Sequence, residues 1–78
     1  MRARLAKLLL DLSENGARTI DRRHYTISDL AARIATVPEA ISRTLGEFKA
    51  DRLLESDRLT IRIHSPEQLA ILAQSDLL

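Results

Sequence analysis

The chain has 78 residues, which is the size of one small domain. Hydrophobic residues make up 45% of it, and fourteen residues are leucine, so the predicted core is aliphatic and favours helices over a β-sandwich. The absence of cysteine excludes disulfides, Fe–S clusters and thiolate zinc sites. One Tyr and one Phe are too few aromatic residues for a surface that stacks nucleic-acid bases.

The charge is nearly balanced, because twelve basic and eleven acidic residues give a net charge of +1. A nucleic-acid-binding domain usually has a clear basic excess, so any such function would require these charges to be sorted onto separate faces. The sequence contains neither a membrane-spanning apolar segment nor a signal peptide, which predicts a cytoplasmic protein. Two histidines without cysteine, scattered carboxylates and no glycine-rich phosphate loop predict no metal, no cofactor and no enzymatic activity.

The first predicted element is an amphipathic helix over residues 2–13. Its leucines recur at helical spacing, at Leu5, Leu8, Leu9 and Leu12. Gly16 is suited to a left-handed cap at the end of this helix. Residues 17–25 are polar and basic, and they fit either a loop or one short strand.

Two further helices follow, with a short connection between them. Thr26 and Asp29 have the spacing of a capping box, which predicts a helix of about two turns with Ile27, Leu30, Ala31 and Ile34 on its apolar side. Residues 35–37 form a tight turn, and Pro38 suits the first position of a helix that ends near Ala50. Two helices joined in this way form a helix-turn-helix.

The remaining segments predict a β-hairpin and a last helix. Residues 53–56 and 59–63 are predicted to be extended, with Asp57 and Arg58 between them at the tip of the hairpin. The second segment alternates apolar and polar side chains. Ser65 and Pro66 then mark a helix start. We therefore expect one domain over residues 1–78, mainly α with a small β-hairpin, which is a winged helix-turn-helix.

The third helix has one apolar side and one polar side. At about 100° per residue, its apolar side carries Ile41, Leu45 and Phe48, and its polar side carries Glu39, Ser42, Arg43 and Gly46. An arginine can donate two hydrogen bonds to guanine, and a glutamate can accept one from cytosine. These side chains therefore have the chemistry to read DNA bases. Their i, i+4 spacing equally fits a simple surface ion pair between Glu39 and Arg43.

Other residues are candidates for contacts with the DNA backbone. Arg58 lies at the predicted tip of the wing, and Lys49 lies near the end of the third helix. Ser28, Thr36 and Pro38 lie at or near helix starts, where main-chain N–H groups favour phosphate.

The stretch from Ile34 to Phe48 resembles the recognition segment of the Crp/Fnr family of bacterial transcription regulators. The helix near residues 4–10, the wing and the last helix also resemble that family, so the likeness covers nearly the whole chain. Glu39, Ser42 and Arg43 are similar to the Fnr-type branch. The resemblance implies binding of double-stranded DNA at TTGAT-N4-ATCAA by a homodimer, with sensor and dimerisation regions that this chain lacks.

The chain departs from the family pattern at two positions. Ala35 occupies a turn position where the family usually has Gly, and Val37 stands where it usually has a Ser or Thr cap. An alternative function is a winged helix that binds another protein or dimerises without specific DNA binding, which the near-neutral charge favours. In that alternative Leu10, which lies off the leucine stripe, faces a partner.

Overall fold

The computed structural model describes residues 2–74. In chain order its elements are α1 (Arg2–Leu12), β1 (Ile20–Asp21), α2 (Ile27–Arg33), α3 (Pro38–Ala50), β2 (Leu54–Ser56), β3 (Thr60–Ile63) and α4 (Pro66–Gln74). The three strands form one antiparallel sheet in the order β1-β3-β2. The predicted fold, a winged helix-turn-helix, is confirmed, and the segment over residues 17–25 contributes a short third strand.

The core is an aliphatic cluster to which every helix and strand contributes. Leu5 and Leu9 of α1 are fully buried, and so are Leu30 of α2, Phe48 of α3 and Leu69 of α4. The sheet adds Ile20, Leu54, Ile61 and Ile63. Leu8 and Leu12, the other two leucines of the predicted stripe, are partly buried against this cluster.

The expectation that Leu10 faces a partner is wrong. Its side chain is only 8% exposed and belongs to the core cluster. The reason is that α4 packs along α1, and Ala70 and Ala73 of α4 line a surface depression together with Leu10. A side chain that lies off the main stripe of one helix is thereby covered by another helix of the same chain.

Three helices end in the same way, with a Schellman motif around a left-handed residue. After α2, Thr36 N donates to Ala31 O at 2.9 Å and Ala35 N donates to Ala32 O at 3.3 Å. Matching pairs of hydrogen bonds close α1 and α3. The left-handed residues are Glu14 (φ 52°), Ala35 (φ 56°) and Arg52 (φ 61°). None of them is glycine, the residue that adopts this conformation without steric cost.

The end of α1 therefore differs from the prediction. The helix closes around Glu14, two residues before Gly16, because the hydrogen bond from Asn15 N to Leu10 O already completes the motif. Gly16 is also left-handed, with a φ of 87°. A Cβ at Gly16 would lie 3.3 Å from the side chain of Pro66, so glycine also permits the close approach of the α1–β1 loop to the start of α4.

The starts of α2 and α3 agree with the sequence. Asp29 N donates to Thr26 Oγ1 at 3.1 Å and Thr26 N donates to Asp29 Oδ2 at 3.3 Å, which confirms the capping box. Pro38 is the first residue of α3, as predicted, and Val37 precedes it without a side-chain cap. The two helices pack against each other across the turn.

Replacing Ala35 with Gly is expected to stabilise the fold. The substitution removes a left-handed alanine, which costs about 1–2 kcal/mol, and adds the smaller entropic cost of glycine, so the net gain is about 0.5–1 kcal/mol. Urea unfolding followed by circular dichroism measures this change in the free energy of unfolding. The matched control is Ala32→Gly, at an exposed helical position three residues earlier, which should destabilise by a similar amount. A loss of stability in both variants would contradict the strain at Ala35.

Candidate nucleic-acid interface

Helix α3 is divided into a buried side and an exposed side. Its buried residues are Ala40, Ile41, Thr44, Leu45 and Phe48. The predicted base-reading residues Glu39, Ser42 and Arg43 are all exposed, and so are Gly46 and Lys49 further along the helix. Because α3 is regular from Pro38 to Ala50, the three predicted residues lie within two turns on one solvent-facing side.

The side of α3 near α1 is held by Arg2. Its guanidinium lies 3.4 Å from a carboxylate oxygen of Glu47 and 3.8 Å from one of Asp51. The same group lies 5.6 Å from the ring centroid of Phe48. These side chains are about half exposed, so each pair contributes well under about 1 kcal/mol. Their main consequence is that one carboxylate of α3 and the carboxylate that follows its last residue are engaged away from the side of Ser42.

Glu39 and Arg43 do not form the ion pair that their spacing permits. In the part of the chain that the structure describes, no salt bridge joins the two side chains. Both groups are exposed at the start of the helix. Their hydrogen-bonding atoms are therefore available to an external ligand.

The wing is attached to the loop that follows β1 through Arg22. Its Nη1 donates to Ser56 Oγ at 3.1 Å and also to the carbonyl oxygen of Asp57. Its main-chain N–H donates to Leu59 O at 2.8 Å. Sequence reasoning missed this role, because the partners of Arg22 lie more than thirty residues away and no local pattern marks them.

The tip of the wing is ordered by Asp57. One carboxylate oxygen accepts hydrogen bonds from the main-chain N–H groups of Leu59 and Thr60, both at 2.8 Å, and Asp57 N donates to Thr60 O at 3.0 Å. The N–H groups of Thr60 and Leu59 lower the pKa of Asp57 below its ordinary value of 3.8. This turn replaces the glycine turn of many hairpins and leaves Arg58 exposed at the tip.

A cleft of about 170 Å³ separates α3 from the wing. We call it the α3–wing cleft, and its lining residues are Arg22, Ile27, Ser42, Leu45, Gly46, Lys49 and Ser56. Two of the predicted site residues, Ser42 and Lys49, thus meet here, together with Arg22. Lys49 also lines two neighbouring depressions. Glu55 lines both of them, and Asp57 lines one of them as well.

The other residues predicted to contact the DNA backbone do not line the cleft. Ser28 is exposed in the first turn of α2, one residue after Ile27 of the cleft wall. Thr36 is half-buried in the turn before α3, and Pro38 is exposed at the first position of that helix. Arg58 is exposed on the wing.

Few large apolar side chains are exposed among residues 2–74. They are Val37 before α3 (56% exposed), Leu59 in the wing turn (52%) and Ile71 in α4 (68%). The three lie in different segments of the chain. An exposed residue on α4 is the feature closest to what a protein-binding function requires.

A comparison with protein families matches residues 3–72 to the Crp-like helix-turn-helix domain. The match covers most of the chain, so this protein belongs to that family, which supports a role in DNA binding for transcription regulation. No curated protein sequence matches the chain. None of the four helices in the described part of the chain is long and apolar enough to cross a membrane.

The Asp57 carboxylate is expected to stabilise the wing turn at neutral pH and to lose this effect in acid. Folding lowers its pKa, so its contribution is complete above the unfolded-state value near 3.8 and disappears as the pH falls through the lower folded-state value. An NMR titration of the Asp57 carboxyl, with the Leu59 and Thr60 amides as reporters, measures the midpoint. In Asp57→Asn the same amides should not move over this range, and a wild-type midpoint at or above 3.8 would contradict the assignment.

Proposed function

We propose that this domain binds double-stranded DNA sequence-specifically, with α3 in the major groove, as the output domain of a Crp/Fnr-type regulator. The observation that carries the proposal is the exposed group of Glu39, Ser42 and Arg43 on the first two turns of α3, beside a wing. The N-terminal part of the second helix of a helix-turn-helix is the part that reaches base edges. Family membership supports DNA binding as such.

The base-reading roles follow from hydrogen-bonding chemistry. Arg43 donates to the O6 and N7 atoms of a guanine, and Glu39 accepts from the N4 amino group of a cytosine. Ser42 contacts a neighbouring base. The likeness of these residues to the Fnr-type branch supports TTGAT-N4-ATCAA as the site. Its two inverted half-sites require two copies of the domain, so we propose that the regulator is a homodimer acting on DNA in the cytoplasm.

The backbone roles belong to residues around the base-reading group. Ser28, Thr36 and Pro38 contact phosphates next to the starts of α2 and α3, and Lys49 and Arg58 contact phosphates from the end of α3 and from the wing tip. The exposure of Ser28, Pro38, Lys49 and Arg58 supports these assignments. Such contacts position the domain without reading sequence.

Replacing Arg43 with Ala is expected to weaken binding to the TTGAT-N4-ATCAA duplex by about 1–3 kcal/mol. The loss should nearly vanish on a duplex changed at the G·C pair of each half-site, because the hydrogen bonds of Arg43 to guanine are already absent there. Fluorescence anisotropy at low salt with both duplexes measures the two losses.

The matched control is Arg18→Ala, which removes the same charge from the loop after α1, where Arg18 pairs with Glu14. It should change both affinities little. Equal losses from Arg43→Ala on the two duplexes would contradict base reading. An absence of binding by the wild-type domain at low salt would favour the protein-binding alternative, for which exposed Ile71 is the first residue to test.

Replacing Arg58 with Ala is expected to weaken binding equally on both duplexes. A phosphate contact releases counterions, so its loss should reduce the slope of log K against log salt concentration by about 0.9. Repeating the anisotropy titration at several salt concentrations measures the slope. An unchanged slope would remove Arg58 from the backbone contacts.

A further inference from the structure

We infer that the α3–wing cleft is a binding site for a DNA phosphodiester, with Arg22 and Lys49 as its cations and with the nucleic-acid backbone passing closely over Gly46. The inference rests on the proposed function, because it takes DNA as the ligand. It adds a site and two residues, Arg22 and Gly46, that sequence reasoning did not assign.

The first argument is the chemistry of the lining. Arg22 and Lys49 supply two positive charges, and Ser42 and Ser56 supply two hydroxyl groups. Among residues 2–74, no carboxylate lines this cleft, whereas the two neighbouring depressions beside Lys49 are both lined by Glu55. A phosphodiester is therefore attracted to the α3–wing cleft and repelled from the depressions next to it.

The second argument is the fixed position of Arg22. Its Nη1 is tied to Ser56 and to the Asp57 carbonyl, while the guanidinium group has five N–H donors in all. The donors on its other nitrogens remain for an anion. Because the side chain is already held by the wing, it loses little conformational freedom when a phosphate binds.

The third argument is Gly46. Glycine is the least favourable residue apart from proline inside a helix, and Gly46 lies in the interior of α3. No contact within the part of the chain that the structure describes requires it, because a Cβ built at Gly46 has no neighbouring atom there within 4 Å. Gly46 lies one turn after Ser42 and lines the cleft. The missing side chain is explained by the close approach of an external backbone.

The substitution Gly46→Ala separates folding from binding. Alanine favours the helix and fits the open space, so the melting temperature should rise by about 4 °C. The added methyl group should hold the DNA backbone away and weaken binding to the TTGAT-N4-ATCAA duplex at least about fivefold. Unchanged or tighter binding by the stabilised variant would overturn the close approach at Gly46.

A set of duplexes, each with one neutral methylphosphonate linkage, tests the cations. At one linkage in each half-site the neutral group should weaken wild-type binding by about three- to tenfold. The variant Lys49→Gln should lose clearly less affinity at that linkage than the wild type does, because only Arg22 remains to attract the phosphate. Lys7→Gln on α1 is the matched control and should respond to every linkage as the wild type does.

Arg22→Gln should show the same reduced effect of the neutral linkage, because Lys49 then remains as the single cation. Arg22 also forms hydrogen bonds with the wing, so Arg22→Gln could change the wing itself. If this variant changes the amide spectrum of residues 56–60, the test relies on Lys49→Gln alone. Equal methylphosphonate effects in Lys49→Gln and in the wild type would overturn the site. NMR shifts of the Gly46 and Lys49 amides produced by inorganic phosphate but not by the duplex would assign the cleft to a free anion and would also overturn it.

The outcomes for the site and for the proposed function are distinguishable. Wild-type affinity that does not depend on the G·C pair, together with a smaller methylphosphonate effect in Lys49→Gln than in the wild type, refutes base reading and supports the cleft. Base-specific binding with equal methylphosphonate effects in Lys49→Gln and in the wild type refutes the cleft and leaves the proposed function in place. An absence of any duplex binding at low salt refutes both.

Discussion

The burial of one side of α3 is the constraint on which the rest of the interface depends. Ile41 and Phe48 are fully excluded from solvent, and Phe48 is the only phenylalanine in the chain. In a regular helix, burial of these positions turns Glu39, Ser42 and Arg43 outward. Arg2 reinforces the arrangement from behind through the ring of Phe48 and the carboxylate of Glu47. Exposure of the polar side is thus a consequence of core packing, and no polar contact between Glu39 and Arg43 is needed to maintain it.

The same small core has to tolerate strain at the ends of its helices. Glu14, Ala35 and Arg52 all adopt the left-handed conformation that glycine adopts freely. Each is held by paired main-chain hydrogen bonds that close a Schellman motif. The motif after α2 is the most consequential, because it keeps the turn short and so sets the direction in which α3 leaves α2. In a domain of this size such costs are a sizeable part of a small net stability.

The near-neutral net charge conceals a separation of charges between surfaces. On the side of α3 near α1, Glu47 and Asp51 pair with Arg2. On the side near the wing, Arg22 and Lys49 line a cleft to which the described part of the chain contributes no carboxylate. At the wing tip, the Asp57 carboxylate accepts hydrogen bonds from main-chain N–H groups, and Arg58 is exposed. A total of +1 is therefore compatible with the locally basic surface that a DNA-binding domain needs.

The sequence by itself determined the features that depend on neighbours within a few residues. Helical spacing, the capping box of Thr26 and Asp29, Pro38 as a helix start and the alternation in β3 predicted the elements and the polar side of α3, and the structure agrees. Tertiary structure alone decided that Leu10 is covered by α4, that Ile20 pairs with Ile61, and that Arg22 reaches the wing. The physical reason is range: propensities, caps and periodicity act over about one helical turn. Burial and hydrogen bonds between distant segments exist only once packing has brought those segments together.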